Sequence, residues 1–318
     1  MLWTLFYFHV TQSLALGAWG LANGTGFLRG FASCFFFGPL LGGLYLWWQG
    51  RLQQRYRRWP SGEGDYACIE SGDGLYCQFR RTQIGGAGPG ARRQVYWQLP
   101  SGPPPEAGWP VVFMFQGTGH PARLFFGAPA DAPYGGLHQV RAVRALLDTG
   151  FAVVAPDAWG GICWMTNLFG FRYGWRSRLN PDVRFLEALF ETVRAGGLGP
   201  LDPNRWYAAG LSSGGYMASR MAVEYPTEFR AICVMSAGYA SWSGRYGRMV
   251  KRLPDRHPPT LFIHGRMDRT TPFERMLVYR DRLAQAGVPT DVMDDPAESH
   301  ACLAGAGERM TAWFNRYA

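Results

Sequence analysis

Lysine is almost absent from this chain: Lys251 is the only one among 32 basic residues, and the others are arginines. Charged residues make up 17% of the sequence and hydrophobic residues 47%, which excludes a largely disordered protein. A net charge of +9 would suit a nucleic-acid partner, but the arginines are scattered along the chain. Zinc-type pairs of cysteine and histidine and phosphate-binding glycine loops are also missing. We therefore predict no metal site, no cofactor and no nucleic-acid partner.

Formal charge is missing from most of the first 50 residues. Residues 1–28 and 30–49 carry none, and Arg29 separates the two runs. The second run is long enough to cross a bilayer as a helix, and its end is rich in interfacial aromatic residues. Arginines then follow at a place that suits a lipid headgroup boundary, namely Arg51, Arg55, Arg57 and Arg58. We expect residues 1–58 to anchor the protein in a membrane and residues 59–318 to form one globular domain.

Alternatives stay open for this leader. Residues 1–28 are the more polar run and could be a second span, an interfacial helix or a stretch upstream of the true start. Residues 30–49 could instead be an apolar helix packed on the globular domain. A cleavable signal peptide is disfavoured because the basic segment that begins such peptides is missing.

The globular domain begins with a predicted hairpin, CIESGDGLYC. A two-residue turn at Gly72 and Asp73 pairs Cys68 with Cys77 at a non-hydrogen-bonded position, where the two backbones approach most closely. This geometry is compatible with a disulfide, and two facing free thiols are the equal alternative. A disulfide needs an oxidising compartment, whereas the arginines after residue 50 favour the cytoplasmic side. We expect the domain to be periplasmic or extracellular.

From about residue 92, apolar strands alternate with amphipathic helices. The predicted strands are RQVYWQL, PVVFMFQG, FAVVAPD, WYAAG, AICVMSAG, TLFIHG and TDVMD. The predicted helices cover residues 137–149, 182–195, 216–226 and 273–286, and a last helix starts at about residue 304. This alternation predicts an α/β domain built around a mostly parallel sheet.

A G-x-S-x-G motif occupies Gly210–Gly214, directly after the WYAAG strand and before a helix. In this context the middle serine sits on a sharp strand-to-helix turn that exposes its hydroxyl. The frame selects Ser212 as the nucleophile. Ser213 follows it and contributes a backbone N–H to an oxyanion hole.

A serine nucleophile needs a histidine base and an orienting carboxylate, which follow it in the order Ser, Asp or Glu, His. His300 lies in a turn-like loop before the last helix, whereas His264 suits a buried structural role and His257 a surface loop. Asp268 follows the TLFIHG strand. The alternative acids are Asp294, Asp295 and Glu298. They are too close to His300 in sequence to approach His300 from a separate loop. We predict a triad of Ser212, Asp268 and His300.

The second oxyanion donor is expected in the loop after the PVVFMFQG strand. Gly117 or Thr118 would supply its backbone N–H. A plain glycine turn is the alternative.

The chain resembles the α/β-hydrolase esterases grouped with poly(3-hydroxybutyrate) depolymerases and feruloyl or acetylxylan esterases. The matching stretches lie between about residues 92 and 318 and are PDVRF, LDPNRWY, ICW, HGRMD and GLSSGGYMASRMAVEYPTEFRAICVMSAG. The resemblance implies an α/β-hydrolase fold, the same triad, and a relation to secreted polymer esterases. One departure is Gln116-Gly117, where the family usually has His-Gly, and it puts the substrate preference in doubt.

These observations predict a membrane-tethered serine esterase that works through an acyl-enzyme on a polyester or an aromatic or other acyl ester. The candidate substrate-binding residues are Gln116, Trp164, Tyr239 and Trp242, and the alternative for such aromatics is core or lid packing. A peptidase or acyltransferase with the same triad is the alternative enzyme. A non-catalytic binding protein on a hydrolase fold is the alternative outside enzymes.

Overall fold

The computed structural model describes residues 12–15, 47, 66–85, 92–165, 180–240 and 253–318. The chain divides into two compact units, Met1–Pro60 and Ser61–Ala318. In the first unit only the helical residues 12–15 and residue 47 are described, so most of the predicted anchor lies outside the described residues. Of the helices that are described, none has both the length and the apolar character needed to cross a bilayer.

The second unit contains eleven described strands. In chain order they are β1 (Cys68–Ser71), β2 (Gly74–Cys77), β3 (Arg80–Ile84), β4 (Arg93–Gln98), β5 (Trp109–Phe115), β6 (Gly127–Pro129), β7 (Ala152–Pro156), β8 (Leu201–Leu211), β9 (Phe229–Met235), β10 (Thr260–Gly265) and β11 (Thr290–Asp295). Eight of them form one sheet in the order β11-β10-β9-β8-β5-β7-β4-β3. In this sheet β4 is antiparallel to β3 and β7, and the remaining neighbours are parallel. The predicted α/β domain with a mostly parallel sheet is confirmed.

Helices cover both faces of this sheet. They are α1 (Gly136–Asp148), α2 (Pro181–Arg194), α3 (Ser213–Glu224), α4 (Phe273–Gln285) and α5 (Ala306–Asn315). Side chains of α2, α3 and α4 belong to one hydrophobic cluster, and side chains of α1 and α5 belong to another. The side chains of strand β5 alternate between the two clusters because successive residues of a strand point to opposite faces. Phe113 and Phe115 belong to the first cluster, and Val112 and Met114 belong to the second. The central strands are therefore buried on both faces.

The predicted hairpin forms around Gly72 and Asp73, and Cys68 pairs with Cys77 in its register. The two cysteines are joined by a disulfide, which resolves the alternative left open by the sequence. Strand β2 also pairs with β6, giving a small three-stranded sheet. Glu70 on β1 forms ion pairs with Arg141 and Arg144, so the hairpin is also tied to α1.

Two sequence expectations need correction. Strands β3 and β6 were not predicted, because β3 consists mainly of polar residues and β6 has only three residues. His257 was expected on the surface but is 7% exposed, and its Nε2 lies 2.7 Å from the hydroxyl of Tyr279. Flanking arginine and proline suggested an exposed loop, but the ring of Tyr279 packs against the His257 imidazole.

Candidate active site

Ser212 lies between the end of β8 and the first residue of α3, with φ 57° and ψ −120°. A positive φ is unusual for a residue with a side chain and marks local strain. The backbone around it is fixed, because Ser212 N–H donates to the Met235 carbonyl (2.9 Å) and the Ser212 carbonyl accepts from Tyr216 N–H (3.0 Å). The strand-turn-helix context of a nucleophile motif is therefore present.

The two glycines of the motif are sterically required. A Cβ on Gly210 would lie 2.7 Å from the Phe115 carbonyl oxygen and would also collide with the backbone of Gly214. A Cβ on Gly214 would lie 2.8 Å from the Gln116 carbonyl oxygen and would collide with the Phe115 carbonyl. Only glycine lets α3 pack this closely on the end of β5.

Asp268 and His300 are brought together although 32 residues separate them in sequence. Nδ1 of His300 lies 2.7 Å from Oδ2 of Asp268, and because a carboxylate only accepts, the imidazole donates. The other oxygen, Oδ1, accepts from the backbone N–H groups of Thr270 (2.8 Å) and Thr271 (2.7 Å). Nε2 of His300 is left as the nitrogen that can take up a proton.

A second histidine contacts the same carboxylate. His264 is fully buried, and its Nε2 lies 3.2 Å from Oδ2 of Asp268 and 2.9 Å from the carbonyl oxygen of Thr271. Burial by itself raises the pKa of the Asp268 carboxyl. Hydrogen bonds from His264 and His300, the charge of His300 and the Thr271 N–H outweigh it and hold that pKa well below its usual range. Asp268 is thus an anion with four donors around it.

The three acidic alternatives to Asp268 make other contacts in the structure. Asp294 pairs with Arg266 at the surface, and Oδ1 of Asp295 accepts from the N–H groups of Ala297 and Glu298. Glu298 is exposed, and its backbone carbonyl accepts a hydrogen bond from Met267 N–H.

Ser236, which the sequence analysis missed, connects the serine and histidine loops. It follows β9, is fully buried and has φ 44°. Its Oγ donates to the carbonyl of Ala301, the residue after His300, at 3.2 Å. Its neighbour Met235 accepts from Ser212 N–H, so one short segment holds both loops. Within the described residues, no hydrogen bond joins Ser212 Oγ to His300, and such bonds often tighten only when substrate binds.

The loop after β5 lies against the nucleophile turn. A Cβ on Gly117 would be 3.3 Å from the Leu211 carbonyl and 3.8 Å from Ser212 Cβ. Thr118 follows and is exposed. Ser213 directly follows Ser212 and is the first residue of α3. Gly117 therefore lies against Ser212, while Thr118 and Ser213 are the residues that directly follow them in the two adjoining segments.

The structure places three of the four predicted substrate-binding residues inside the protein. Gln116 and Trp164 have no exposed surface and Tyr239 is 1% exposed. Trp164 Nε1 donates to the Gln116 carbonyl (3.0 Å), and Tyr239 packs on Tyr279. A side chain without exposed surface cannot touch substrate, so this prediction is wrong for these three. Trp242 lies outside the described residues.

Gln116 instead fastens the loop that carries Gly117. Its side-chain oxygen accepts from Ala158 N–H (3.0 Å), and its Nε2 donates to the Gly161 carbonyl (3.1 Å). Gly119 N–H donates to the Ile162 carbonyl at 2.6 Å. The loop after β5 is thereby bound to the loop after β7.

Comparison with known proteins agrees with this arrangement. The chain is 39% identical over 241 residues to poly(3-hydroxyoctanoate) depolymerase of Pseudomonas fluorescens, covering 76% of this chain and 85% of that protein. The chain belongs to the α/β-hydrolase esterase family that includes this depolymerase. A model of the prolyl oligopeptidase family (Peptidase_S9) matches residues 245–318. This α/β hydrolase is therefore a serine hydrolase, as the resemblance implied.

Solved structures of low identity share the fold of this α/β hydrolase. A thermostable esterase superposes with a TM-score of 0.54 at 19% identity, covering 76% of this chain and 66% of the esterase. Uncomplexed acylaminoacyl peptidase of Pyrococcus horikoshii gives a TM-score of 0.51 at 14% identity. That match covers 79% of this chain but 48% of the peptidase, so this hydrolase spans about half the peptidase's length.

Proposed function

We propose that this serine hydrolase cleaves the ester bonds of a polyester of hydroxyalkanoic acids, with Ser212, His300 and Asp268 as its triad. The observation that carries the proposal is the hydrogen bond of His300 to Asp268, in a structure where Met235 and Ser236 tie the loop of His300 to a serine on a strained strand-to-helix turn. Nucleophile, base and orienting acid at the ends of parallel strands are what acyl transfer requires.

In the acylation step, Ser212 Oγ attacks the ester carbonyl carbon while His300 Nε2 takes up the hydroxyl proton. Asp268 holds the ring through Nδ1–H and stabilises the imidazolium that forms. The tetrahedral intermediate then collapses: the bond to the leaving oxygen breaks and His300 returns its proton to that oxygen. An alcohol leaves, and an ester of Ser212 remains.

The developing oxyanion needs donors that are already in place. The backbone N–H of Ser213 at the start of α3 and that of Gly117 or Thr118 are the proposed donors. One such donor contributes about 3 kcal/mol to transition-state stabilisation. Water then repeats the steps on the acyl-enzyme: His300 takes its proton, a carboxylic acid forms, and Ser212 is regenerated.

Adjacent serines make a matched test of this mechanism. Ser212→Ala removes the proposed nucleophile, whereas Ser213→Ala keeps the proposed backbone donor and removes the weak 3.4 Å contact of its hydroxyl to the Gln116 carbonyl. We expect a fluorophosphonate probe to label wild type and Ser213→Ala but not Ser212→Ala, and turnover of p-nitrophenyl esters to follow the same pattern. Labelling of folded Ser212→Ala would contradict the assignment.

The polyester substrate is proposed because of the 39% identity to poly(3-hydroxyoctanoate) depolymerase. Clearing of a poly(3-hydroxyoctanoate) latex by wild type but not by Ser212→Ala is the expected result. Hydrolysis of soluble esters without any release of hydroxyacids from the latex would exclude the polyester and leave the esterase mechanism intact.

A peptidase is the second candidate, because the prolyl oligopeptidase family model covers the segment that contains Asp268 and His300. Parallel assays with an ester and an amide of the same acyl group and leaving group separate the two. We expect cleavage of the ester to exceed cleavage of the amide, and the reverse order would favour the peptidase.

We further propose that the domain works outside the cytoplasm, supported by the Cys68–Cys77 disulfide. The membrane anchor stays a prediction about the leader. Alkylation of intact cells with a maleimide before lysis should leave Cys68 and Cys77 unmodified unless a reductant is added. Modification of both without reductant would contradict the proposal.

A further inference from the structure

Tyr134 has a backbone conformation that its side chain disfavours. Three non-glycine residues of the described chain have positive φ, and two of them, Ser212 and Ser236, belong to the site described above. The third is Tyr134, with φ 58° and ψ 29°. A left-handed conformation is rare for a bulky residue and persists where the surrounding structure enforces it.

The backbone around Tyr134 is held by the segment that follows His300. Cys302 N–H donates to the Tyr134 carbonyl at 3.1 Å. Gly135, the next residue, packs so closely on Cys302 that a Cβ there would lie 2.9 Å from the Cys302 nitrogen. Gly135 also has a positive φ of 66°, so glycine is needed at that position.

Packing of the side chain does not account for tyrosine at this position. Tyr134 is 57% exposed, although it lies on a segment that is firmly attached. Its ring stands edge-on to the imidazole of His300, with 6.2 Å between the ring centroids and 79° between the planes. An exposed aromatic ring is thus fixed beside the proposed general base.

The position of the Tyr134 ring beside His300 indicates which part of an ester the ring can contact. Nδ1 is bound to Asp268, so Nε2 must exchange protons with Ser212 and with the leaving oxygen. The alcohol part of the ester is attached to that leaving oxygen and therefore has to pass beside the imidazole. We infer that Tyr134 binds the apolar chain of the alcohol part and sets the preference for the leaving group. This inference rests on the proposed serine-esterase function.

Tyr134→Asn is the informative variant, because asparagine accepts a left-handed backbone while the ring is lost. Tyr134→Phe keeps the ring and is the conservative control. Val278→Ala removes an apolar side chain that is 50% exposed on α4 and is the matched surface control. Thermal unfolding of each variant shows whether the fold is retained, and we expect Tyr134→Asn to unfold at or above the wild-type temperature.

The assay varies the two halves of the ester separately. One series contains acetates of methanol, butanol, hexanol and octanol, and the other contains p-nitrophenyl esters of acyl groups of increasing length. In wild type we expect kcat/KM to rise with alcohol length, by up to about fourfold for each methylene that is fully buried. In Tyr134→Asn this slope should flatten, with the loss concentrated in octyl acetate, while Tyr134→Phe and Val278→Ala keep it.

Within the acyl series, Tyr134→Asn should lower kcat/KM by one common factor, because the leaving group is constant. A flattened acyl slope, an equal loss for all alcohols, or no loss would each overturn the inference. If wild type hydrolyses these esters and fluorophosphonate labels Ser212, such a result leaves the proposed function standing. If wild type shows neither activity nor labelling, the proposed function fails and the inference fails with it.

Discussion

Nε2 of His264 lies 3.2 Å from Oδ2 of Asp268, the same oxygen that accepts the hydrogen bond from His300. The carboxylate of the proposed catalytic acid is therefore contacted by two imidazoles, one buried and one at the surface of the site, and the buried His264 shares its Nε2–H with the Thr271 carbonyl at 2.9 Å. His264 lies at the end of β10, four residues before Asp268, so the strand that leads into the acid loop also supplies a donor for its carboxylate.

Removing this donor should lower kcat as well as the free energy of unfolding. We expect His264→Leu to lower kcat by about tenfold, the effect of losing one hydrogen bond of about 1.4 kcal/mol that positions a reacting group. His264→Gln keeps a donor and should restore most of the activity. The measurement is kcat and KM for a p-nitrophenyl ester, with the free energy of unfolding from urea titration.

His257→Leu is the control for His264→Leu, because His257 is also a buried, hydrogen-bonded histidine but bonds to Tyr279. It should lose stability without a comparable loss of kcat. Equal kcat for His264→Leu and wild type would show that His264 has no part in orienting Asp268.

The side chain of Gln116 should matter through the loop that it fastens. Gln116→Leu removes the contacts to Ala158 and Gly161 and lets Gly117 and Thr118 shift relative to Ser212. We expect kcat to fall by about 10- to 100-fold with a small change in KM, since an ångström-scale displacement of catalytic groups has an effect of this order.

Gln98→Leu is the matched control for Gln116→Leu, because Gln98 is equally buried and bonds to the Gln78 carbonyl and to Leu99 N–H. Both variants should be destabilised to a similar extent in urea. A loss of kcat in Gln98→Leu as large as that in Gln116→Leu would refute a specific role for the loop.

Stability should fall as the solution is acidified from pH 6.5 to pH 4 because of His257. Burial lowers the pKa of His257 to about 4, although its hydrogen bond with the Pro258 carbonyl acts in the opposite direction. The unfolded chain binds a proton there near pH 6.5 and the folded chain does not, so stability is fully present above pH 6.5. The contribution is lost as the pH falls toward 4, with a slope approaching about 1.4 kcal/mol per pH unit for this one group.

The measurement is the free energy of unfolding of wild type and His257→Gln at several pH values in this range. Glutamine cannot take up the proton, so the free energy of unfolding of His257→Gln should change less steeply with pH, by up to about 1.4 kcal/mol per pH unit. Because the pKa of His120 is also lowered by burial to about 4, a part of the slope should remain in the variant. Identical slopes in the two proteins would contradict the prediction.

Loss of the Cys68–Cys77 disulfide should destabilise the domain without removing its chemistry. The bond closes a short loop, and the chain-entropy model gives about 2–3 kcal/mol for a loop of this length. We expect the double variant Cys68→Ser/Cys77→Ser to unfold at lower urea concentration and still to be labelled by fluorophosphonate. Wild type in dithiothreitol should unfold at the same urea concentration as the double variant. A double variant as stable as oxidised wild type would show that the disulfide does not contribute to stability.

Most of the described fold was accessible from the sequence because it depends on local patterns. The apolar runs between residues 110 and 265 became β5, β7, β8, β9 and β10, and the helices began or ended within a few residues of their predicted bounds. Strands buried on both faces are continuously apolar, and amphipathic helices keep their period, so neither needs tertiary information to be recognised. The turn of the β1–β2 hairpin was equally local.

Residue chemistry and chain order led to the proposed triad of Ser212, Asp268 and His300, since a nucleophile motif between a strand and a helix restricts where its partners can be. Of this proposal the structure shows the hydrogen bond between Asp268 and His300 and the strained turn at Ser212. The roles of neighbouring side chains depended on packing. Gln116, Trp164 and Tyr239 carry groups that can bind a ligand, and only their complete burial shows that they fasten loops and fill the core. The sequence does not encode exposure locally, because exposure depends on which distant segment covers a residue.

By itself the sequence determined the strand-helix alternation, the frame that separates Ser212 from Ser213, and the hairpin register that places Cys68 opposite Cys77. Tertiary structure alone decided that His264 shares the carboxylate of Asp268, that Ser236 joins the serine and histidine loops, and that Tyr134 stands beside His300. The reason is physical: the first set depends on residues that are neighbours in the chain. The second set depends on strand ends that meet only when the sheet has formed.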